Sequence, residues 1–452
     1  MNKTELLYKI KNSSSKKVKI AFPDIDGILR GKYIHKDKFS KAIDQGLGFC
    51  DVIFGWDCND KCYDNIEITG WHTGYPDAQA LIDINTFREI PWENDTPFFL
   101  GDFSQDEKYA QATCSRSLLK RVAAESEAMG FIPFFSQEFE WFNFMGTPSE
   151  IYQDDFRNLK PITPGMFGYS LLRTSLNHAF FNDLFEMLLK FDVPLEGMHT
   201  ETGPGVVEAT VIYDEILHAA DKAILFKTAV KEIAYRHNFV ATFMAKWNKN
   251  LPGSGGHIHQ SLWDKSREKN LFFEVDDSNR MSKLMKQYIA GLLKCLPEIL
   301  PMFAPNPNSY KRLSGGDWAP RTLTWGIDNR TASIRAIPGN ETSTRIEMRV
   351  PGADTNAYLA MAASLAAGLY GIKNELELTT PASQGNAYLE SKEHLLPNSL
   401  EIATKKMADS KIANELFGEA FVDHFTLTRE WECRQVDPND ENWELKRYFE
   451  II

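Results

Sequence analysis

The chain has 452 residues, 43% of them hydrophobic and 25% charged, and a formal net charge of −12. That composition excludes a disordered or fibrous chain, and the length calls for two domains rather than one ordinary core. The acidic balance is spread along the sequence, which argues against a nucleic-acid or anionic-membrane surface; solubility alone accounts for it.

The segment from Met1 to Lys17 has no apolar stretch and reads as neither signal peptide nor anchor. Residues 1–108 are predicted to form a small α+β domain, with strands at Val18–Pro23 and Val52–Trp56 and a turn-rich stretch from Gly70 to Asp77. Cys58 and Cys62 lack the second pair or neighbouring histidine of a zinc site, and six cysteines in a chain this long suit a reducing cytoplasm. Residues 109–452 form the second predicted domain. It opens with a helix over Ser115–Met129, with Ser115 as its N-cap and Gly130 as its stop. Further helices are predicted at Ala219–His237, at Met281–Cys295 (stopped by Pro297) and at Ala357–Tyr370. The last is alanine-rich and too short to cross a bilayer.

Between the helices lie the segments that carry chemistry. Side chains two apart on a strand share a face, so Glu138 and Glu140 in Phe134–Phe144 stand together among aromatics. Paired carboxylates in apolar company are costly without a cation between them, although an edge strand with one solvated face gives the same pattern. Glu201 and Glu208 bracket Thr202-Gly-Pro-Gly205, a turn able to bring both carboxylates to one place, or only a tight turn. His257 and His259 follow the glycine-rich Gly253-Ser-Gly-Gly256, whose backbone can approach a ligand closely. A His-x-His pair also occurs in metallohydrolases, but the companions here are carboxylates, which favour magnesium or manganese over zinc. No P-loop is present. Arg312, Arg321, Arg330 and Arg335 crowd one stretch, and Arg345 and Arg349 alternate with Glu347. Such guanidinium groups suit phosphate and carboxylate oxygens, or a set of surface salt bridges.

Taken in order, Ser136-Gln-Glu-Phe-Glu-Trp-Phe142, His199-Thr-Glu-Thr-Gly-Pro-Gly205 through Glu208, Gly253-Ser-Gly-Gly-His-Ile-His259, Asn308-Ser-Tyr-Lys-Arg-Leu313, Asn329-Arg-Thr-Ala-Ser-Ile-Arg335 and Arg345-Ile-Glu-Met-Arg349 resemble the glutamine synthetase family. The resemblance implies an α+β chain: an N-terminal β-grasp domain, then a catalytic domain with a curved antiparallel sheet and flanking helices. It implies a cytoplasmic homo-oligomer of stacked rings, commonly of about twelve subunits. It implies two magnesium or manganese ions, one held by Glu140, Glu201 and Glu208 and the other by Glu138, His257 and Glu347. Gly253, His257, Arg312 and Arg349 fall where the family holds the glutamate-type substrate. Arg330, Arg335 and Arg345 fall where it holds phosphates, and Glu196, Tyr213, His259 and Ser261 where it holds ATP. The implied reaction is ATP-dependent amide formation through an acyl phosphate, with glutamate, an amine and ATP as small-molecule partners and neither nucleic acid nor membrane.

Three positions depart from the family pattern. Trp318 stands where ammonia-using members carry a glutamate that deprotonates ammonium, so the expected amine is an alkylamine or polyamine rather than, or besides, ammonia. Asp317, next to it, is the substitute base that keeps ordinary glutamine synthesis open. Val206 and Pro252 replace a usual Gln and Asn beside the substrate carboxylate. Asp57 is the expected N-terminal aspartate completing a neighbouring subunit's amine site, with Asp51 and Asp60 as rivals. A non-catalytic ring protein on the same fold is the remaining alternative, disfavoured by the intact ligand set.

Overall fold

The computed structural model describes residues 2–104, 112–314, 318–390 and 395–452. Asp317 and the expected domain boundary at 108/109 lie outside the described residues.

The N-terminal part carries six strands: β1 (Lys17–Pro23), β2 (Leu29–His35), β3 (Leu47–Cys50), β4 (Asp77–Ile82), β5 (Arg88–Ile90) and β6 (Thr96–Phe103). They order as β2-β1-β6-β4-β3 with β5 also on β6, and only β1 and β6 run parallel. A hairpin, a helix over Lys36–Gln45 and a parallel pairing of the first and last strands give the β-grasp arrangement. Every residue of β6 is buried, as expected of the central strand. Leu6, Ile10, Val18, Ile20, Phe39 and Phe99 form a core of this unit, while Ala21, Ile25, Phe98 and Leu100 join the larger core of the rest of the chain.

The second sheet has nine strands: β7 (Ile132–Met145), β8 (Leu195–Thr200), β9 (Val206–Val211), β10 (Asp214–Glu215), β11 (Phe239–Thr242), β12 (Ile258–Trp263), β13 (Trp325–Ile327), β14 (Ile334–Ile337) and β15 (Arg345–Met348). Their order is β13-β14-β15-β12-β7-β9-β8, with β10 and β11 on β7, and all pairs except β13–β14 are antiparallel. β7 is the long spine. Its apolar face, Phe139 and Trp141, packs on Phe226 of the helix Ile216–Arg236 and on Phe243. Its other face carries Glu138 and Glu140. Behind the sheet the Ala-rich helix Ala357–Lys373 packs along the helix Lys283–Ile299. No helix among the described residues is long and apolar enough to cross a membrane.

Three local expectations are corrected. Val52–Trp56 is not a strand: Asp51–Phe54 forms a 3-10 turn that buries Ile53 and Phe54. Ser115 is the first helical residue and Cys114 the cap, without a side-chain bond. Pro297 lies inside the helix Lys283–Ile299 rather than stopping it; the lost N–H falls near the last turn, and burial of Leu296 and Ile299 offsets it.

Candidate active site

The site forms where β12 gives way to the glycine-rich segment along β7. Glu138 N donates to His257 O (2.9 Å) and Glu140 N to Gly255 O (2.9 Å), so the two strands stay paired through the motif. Gly255 is required there by contact: a Cβ would stand 2.7 Å from His257 Nε2 and 3.1 Å from Glu140 Oε1. His257 Nδ1 lies 2.9 Å from Glu138 Oε1 and 3.5 Å from Glu347 Oε1. β9 pairs with β7 so that Glu208 faces Glu140 directly, and the Thr202–Gly205 turn returns Glu201 to the same region. Glu138, Glu140, Glu201, Glu208, His257 and Glu347 are therefore brought together, although they come from five separate strands and loops.

The electrostatics are those of crowded carboxylates. Burial, then the charges of Glu138, Glu140, Glu201 and Glu347, push the Glu208 carboxyl up to about 10. Against the cost of burial, Arg349 and the two histidines hold Glu347 down at about 2. The groups whose ligand atoms lie within reach of a single ion are Glu138 with His259 and Glu347, and His199 with Glu201 and Glu208. This sorting differs from the expected one, in which His257 and Glu140 take those places. His257 nonetheless suits an ion: with its Nδ1 beside a carboxylate, its buried Nε2 has no protein partner. A carboxylate-rich donor set with an imidazole fits magnesium or manganese.

Beyond the carboxylates a cavity of about 290 Å³ is lined by Glu196, Tyr213, His259, Ser261 and Arg345, together with Glu138, Phe134 and Trp263. All five expected ATP or phosphate residues on this side thus converge. Arg345 Nε donates to His259 Nδ1 at 3.2 Å. Arg335 is pinned between Asp328 (Nε to Oδ1, 3.0 Å) and Glu347 Oε2 (2.8 Å), and Arg349 donates to Glu347 Oε1. Arg330 is exposed and is not among the residues lining either cavity.

On the opposite side a small cavity of about 30 Å³ is lined by Glu140, Glu201, Gly253, Arg312 and Trp318, with Val206, Pro252 and Ala319. All three family departures in the described residues therefore meet in one place. Trp318 is 59% exposed and takes a left-handed backbone (φ +62°). Gly253 fits closely against Arg312, whose Cγ would stand 2.8 Å from a Cβ at that position. Asp57 lines neither cavity. It is buried, accepting from Trp431 Nε1 (2.9 Å) and Arg447 (2.8 Å).

Two contributors escaped the sequence reading. His199 Nε2 stands 3.1 Å from Glu201 and 3.3 Å from Glu208, and Tyr169 stacks on its ring at 4.2 Å and 7°. The signal for His199 was available: it lies two residues before Glu201, at the alternation that placed Glu138 with Glu140. Tyr169 arrives from a distant loop and left no such mark.

Residues 112–448 match the family profile described as glutamine synthetase, catalytic domain. The chain is 52% identical to type-1 glutamine synthetase 2 of Dictyostelium discoideum, covering all of this chain and 87% of that one. It is 36% identical to a glutamate–isopropylamine ligase of a Pseudomonas species (96% and 95% covered) and 32% identical to a gamma-glutamylethanolamide synthetase of Streptomyces coelicolor (96% and 92%). A solved structure titled as a GmaS/ADP complex shares the fold, with a TM-score of 0.83 at 24% identity over 98% of both chains.

Proposed function

The chain belongs to the glutamine synthetase family and is a carbon–nitrogen ligase, and on that premise we propose that it joins the γ-carboxyl of glutamate to an amine larger than ammonia. The observation that carries the finer reading is the meeting of Trp318, Val206 and Pro252 in the cavity shared with Glu140, Glu201, Gly253 and Arg312. An indole face there attracts an ammonium and packs alkyl groups, but offers no carboxylate to deprotonate ammonium.

In this reading ATP occupies the cavity between Tyr213 and Arg345, with Glu196, His259 and Ser261 along its wall. Arg312, Arg349 and Gly253 hold glutamate. The glutamate carboxylate attacks the terminal phosphorus, ADP departs, and an acyl phosphate results. Arg330, Arg335 and Arg345 offset the negative charge that this transfer concentrates. Glu138, His257 and Glu347, with His259 beside them, and Glu140, Glu201 and Glu208, with His199 beside them, would hold divalent ions, which when bound would neutralise phosphate charge. The uncharged amine then attacks the acyl carbon, the C–O bond to phosphate breaks, and the departing phosphate takes up the proton that the nitrogen sheds. Trp318 at the site mouth limits the water that would otherwise waste the intermediate.

Phosphate release with ATP, magnesium, glutamate and a panel of amines tests this. Turnover with an alkylamine or polyamine above that with ammonia supports it, and robust glutamine formation with no amine activity rejects it. The second reading, ordinary glutamine synthesis, is favoured by the relative 52% identical to this chain and uses Asp317 as the base. Stacked rings of the chain in the cytoplasm complete the proposal. Leu171, Leu172, Leu176 and Leu189 are all more than 60% exposed, an apolar surface that a neighbouring copy covers. Light scattering at the mass of a single chain refutes the ring.

A further inference from the structure

The loop after β15 is bonded to both segments that border the small cavity. On one side Gly256 N donates to Pro351 O (3.0 Å) and Ala353 N to Ser254 O (3.1 Å), stitching it to the glycine-rich segment. On the other side Arg312 NH1 donates to Val350 O (2.8 Å) and NH2 to Arg349 O (3.2 Å). Arg312 rides on the helix Pro307–Ser314, and the start of that helix is fixed by Asp354, the last residue of the same loop run. Asp354 Oδ2 accepts from Ser309 Oγ and from Asn306 Nδ2 (3.2 Å). The carboxylate is only 1% exposed, and its Oδ1 has no hydrogen-bond partner among the described residues. A buried carboxylate is expensive unless compensated, and here the Ser309 and Asn306 hydrogen bonds and the charges of Lys227 and Arg312 offset part of the cost. Its use lies in geometry. With both ends of the helix tied to one loop, Arg312 cannot shift along the cavity without breaking the bonds at Asp354.

We propose that Asp354 is a positioning residue for the glutamate end of the site, acting through Ser309 and Asn306 to set Arg312 against Gly253. The inference rests on the glutamate-binding reading above and goes beyond it by naming the residue behind the contact. Asp354 is not among the residues that line either cavity, although its carboxylate faces the charge of Arg312, which lines the smaller one. Its removal therefore acts on one substrate only.

The test uses the full chain with Asp354→Ala, Asp354→Asn and Ser309→Ala, following phosphate release while glutamate and ATP are varied in turn. Asp354→Ala is expected to raise KM for glutamate about tenfold or more, with KM for ATP and kcat at saturating glutamate within about twofold of the parent. Asp354→Asn keeps an oxygen for Ser309 and recovers most of the loss, and Ser309→Ala raises KM for glutamate by a smaller factor. Equal rises in both KM values, or an unchanged KM for glutamate in Asp354→Ala, overturn the proposal. If Asp354→Ala does not fold, the other two variants decide by the same split. Should the parent use a different acid, the substrate reading fails and the split measured with that acid still judges Asp354. A parent that turns over no acid sinks both.

Discussion

Gly255→Ala puts a single methyl group between two of the candidate metal ligands. The φ of Gly255 lies outside the left-handed region, so alanine meets no backbone penalty and the effect arises from contact alone. The new Cβ would stand 2.7 Å from His257 Nε2, where ordinary contact begins near 3.4 Å. The imidazole must therefore retreat by about 0.7 Å or the segment must move, and the segment is held at Gly352 by a backbone bridge. His257 has little freedom, with Nδ1 at Glu138 and the ring buried.

Misplacing a reacting constellation by roughly an ångström costs about 10²-fold, or about 2.7 kcal/mol of transition-state stabilisation. Disturbing a ligand's orientation weakens metal binding about 10- to 100-fold. Overpacking costs about 1–3 kcal/mol of stability. Manganese titration calorimetry reads the second quantity, phosphate release the first and urea unfolding the third. Gly197→Ala on β8 is the control, because a Cβ there meets nothing within 4 Å. A Gly255→Ala enzyme that binds manganese like the parent and keeps kcat/KM within about twofold refutes the argument, and with it the claim that His257 and Glu140 share one site.

Trp318→Glu is expected to shift kcat/KM toward ammonia and away from alkylamines by about tenfold or more, measured as the ratio of the two rates; an unchanged ratio removes Trp318 from amine selection. Asp57→Asn weakens a buried pair with Arg447, which keeps Glu432 as its other partner, and should cost about 1.5–3 kcal/mol in urea unfolding. Equal stability would show that Asp57 is not held as described. Among the described residues neither ring nitrogen of the buried His424 has a hydrogen-bond partner, and burial followed by the charge of Arg429 pushes it down to about 4. The unfolded chain takes up this proton below about pH 6.5 and the folded one only near 4, so stability falls as pH drops through that window. The slope is about 1.4 kcal/mol per pH unit and the total about 3 kcal/mol. His424→Phe should flatten the difference between unfolding at pH 7 and pH 5, and an equally steep loss rules His424 out as the cause.

Much of this was legible in the residue pattern, for a physical reason. The alternation of Glu138 and Glu140 amid aromatics is local, as is the turn between Glu201 and Glu208, and a strand imposes both geometries without outside help. The same rule, applied one motif further, marks His199. What the pattern could not supply was non-local. Val52–Trp56 is apolar enough for a strand, but the packing of Ile53 and Phe54 closes a turn instead. Tyr169 meets His199 only because Ser170 N and Tyr169 N bond to Thr200 on β8. Asp57 was expected, from the resemblance alone, to complete a neighbouring subunit's amine site, and its partners Arg447 and Trp431 come from the far end of the chain.

The distribution of the departures carries the strongest argument. Among the described residues, Glu196, Tyr213, His259, Ser261 and Arg345, the positions expected to hold ATP or phosphate, line one cavity. Its counterpart across the carboxylates gathers every change noted in the sequence: Trp318 for a glutamate, Val206 for a glutamine and Pro252 for an asparagine. Each replaces a polar group with an apolar one. An enzyme losing its activity would have no reason to keep one end of the site whole and confine its changes to the other. On the proposed reading, the three apolar exchanges favour a nucleophile that carries a hydrocarbon group. On that reading, this chain differs from ammonia-using members in the nucleophile that reaches the acyl carbon, while the activation of the carboxylate stays the same.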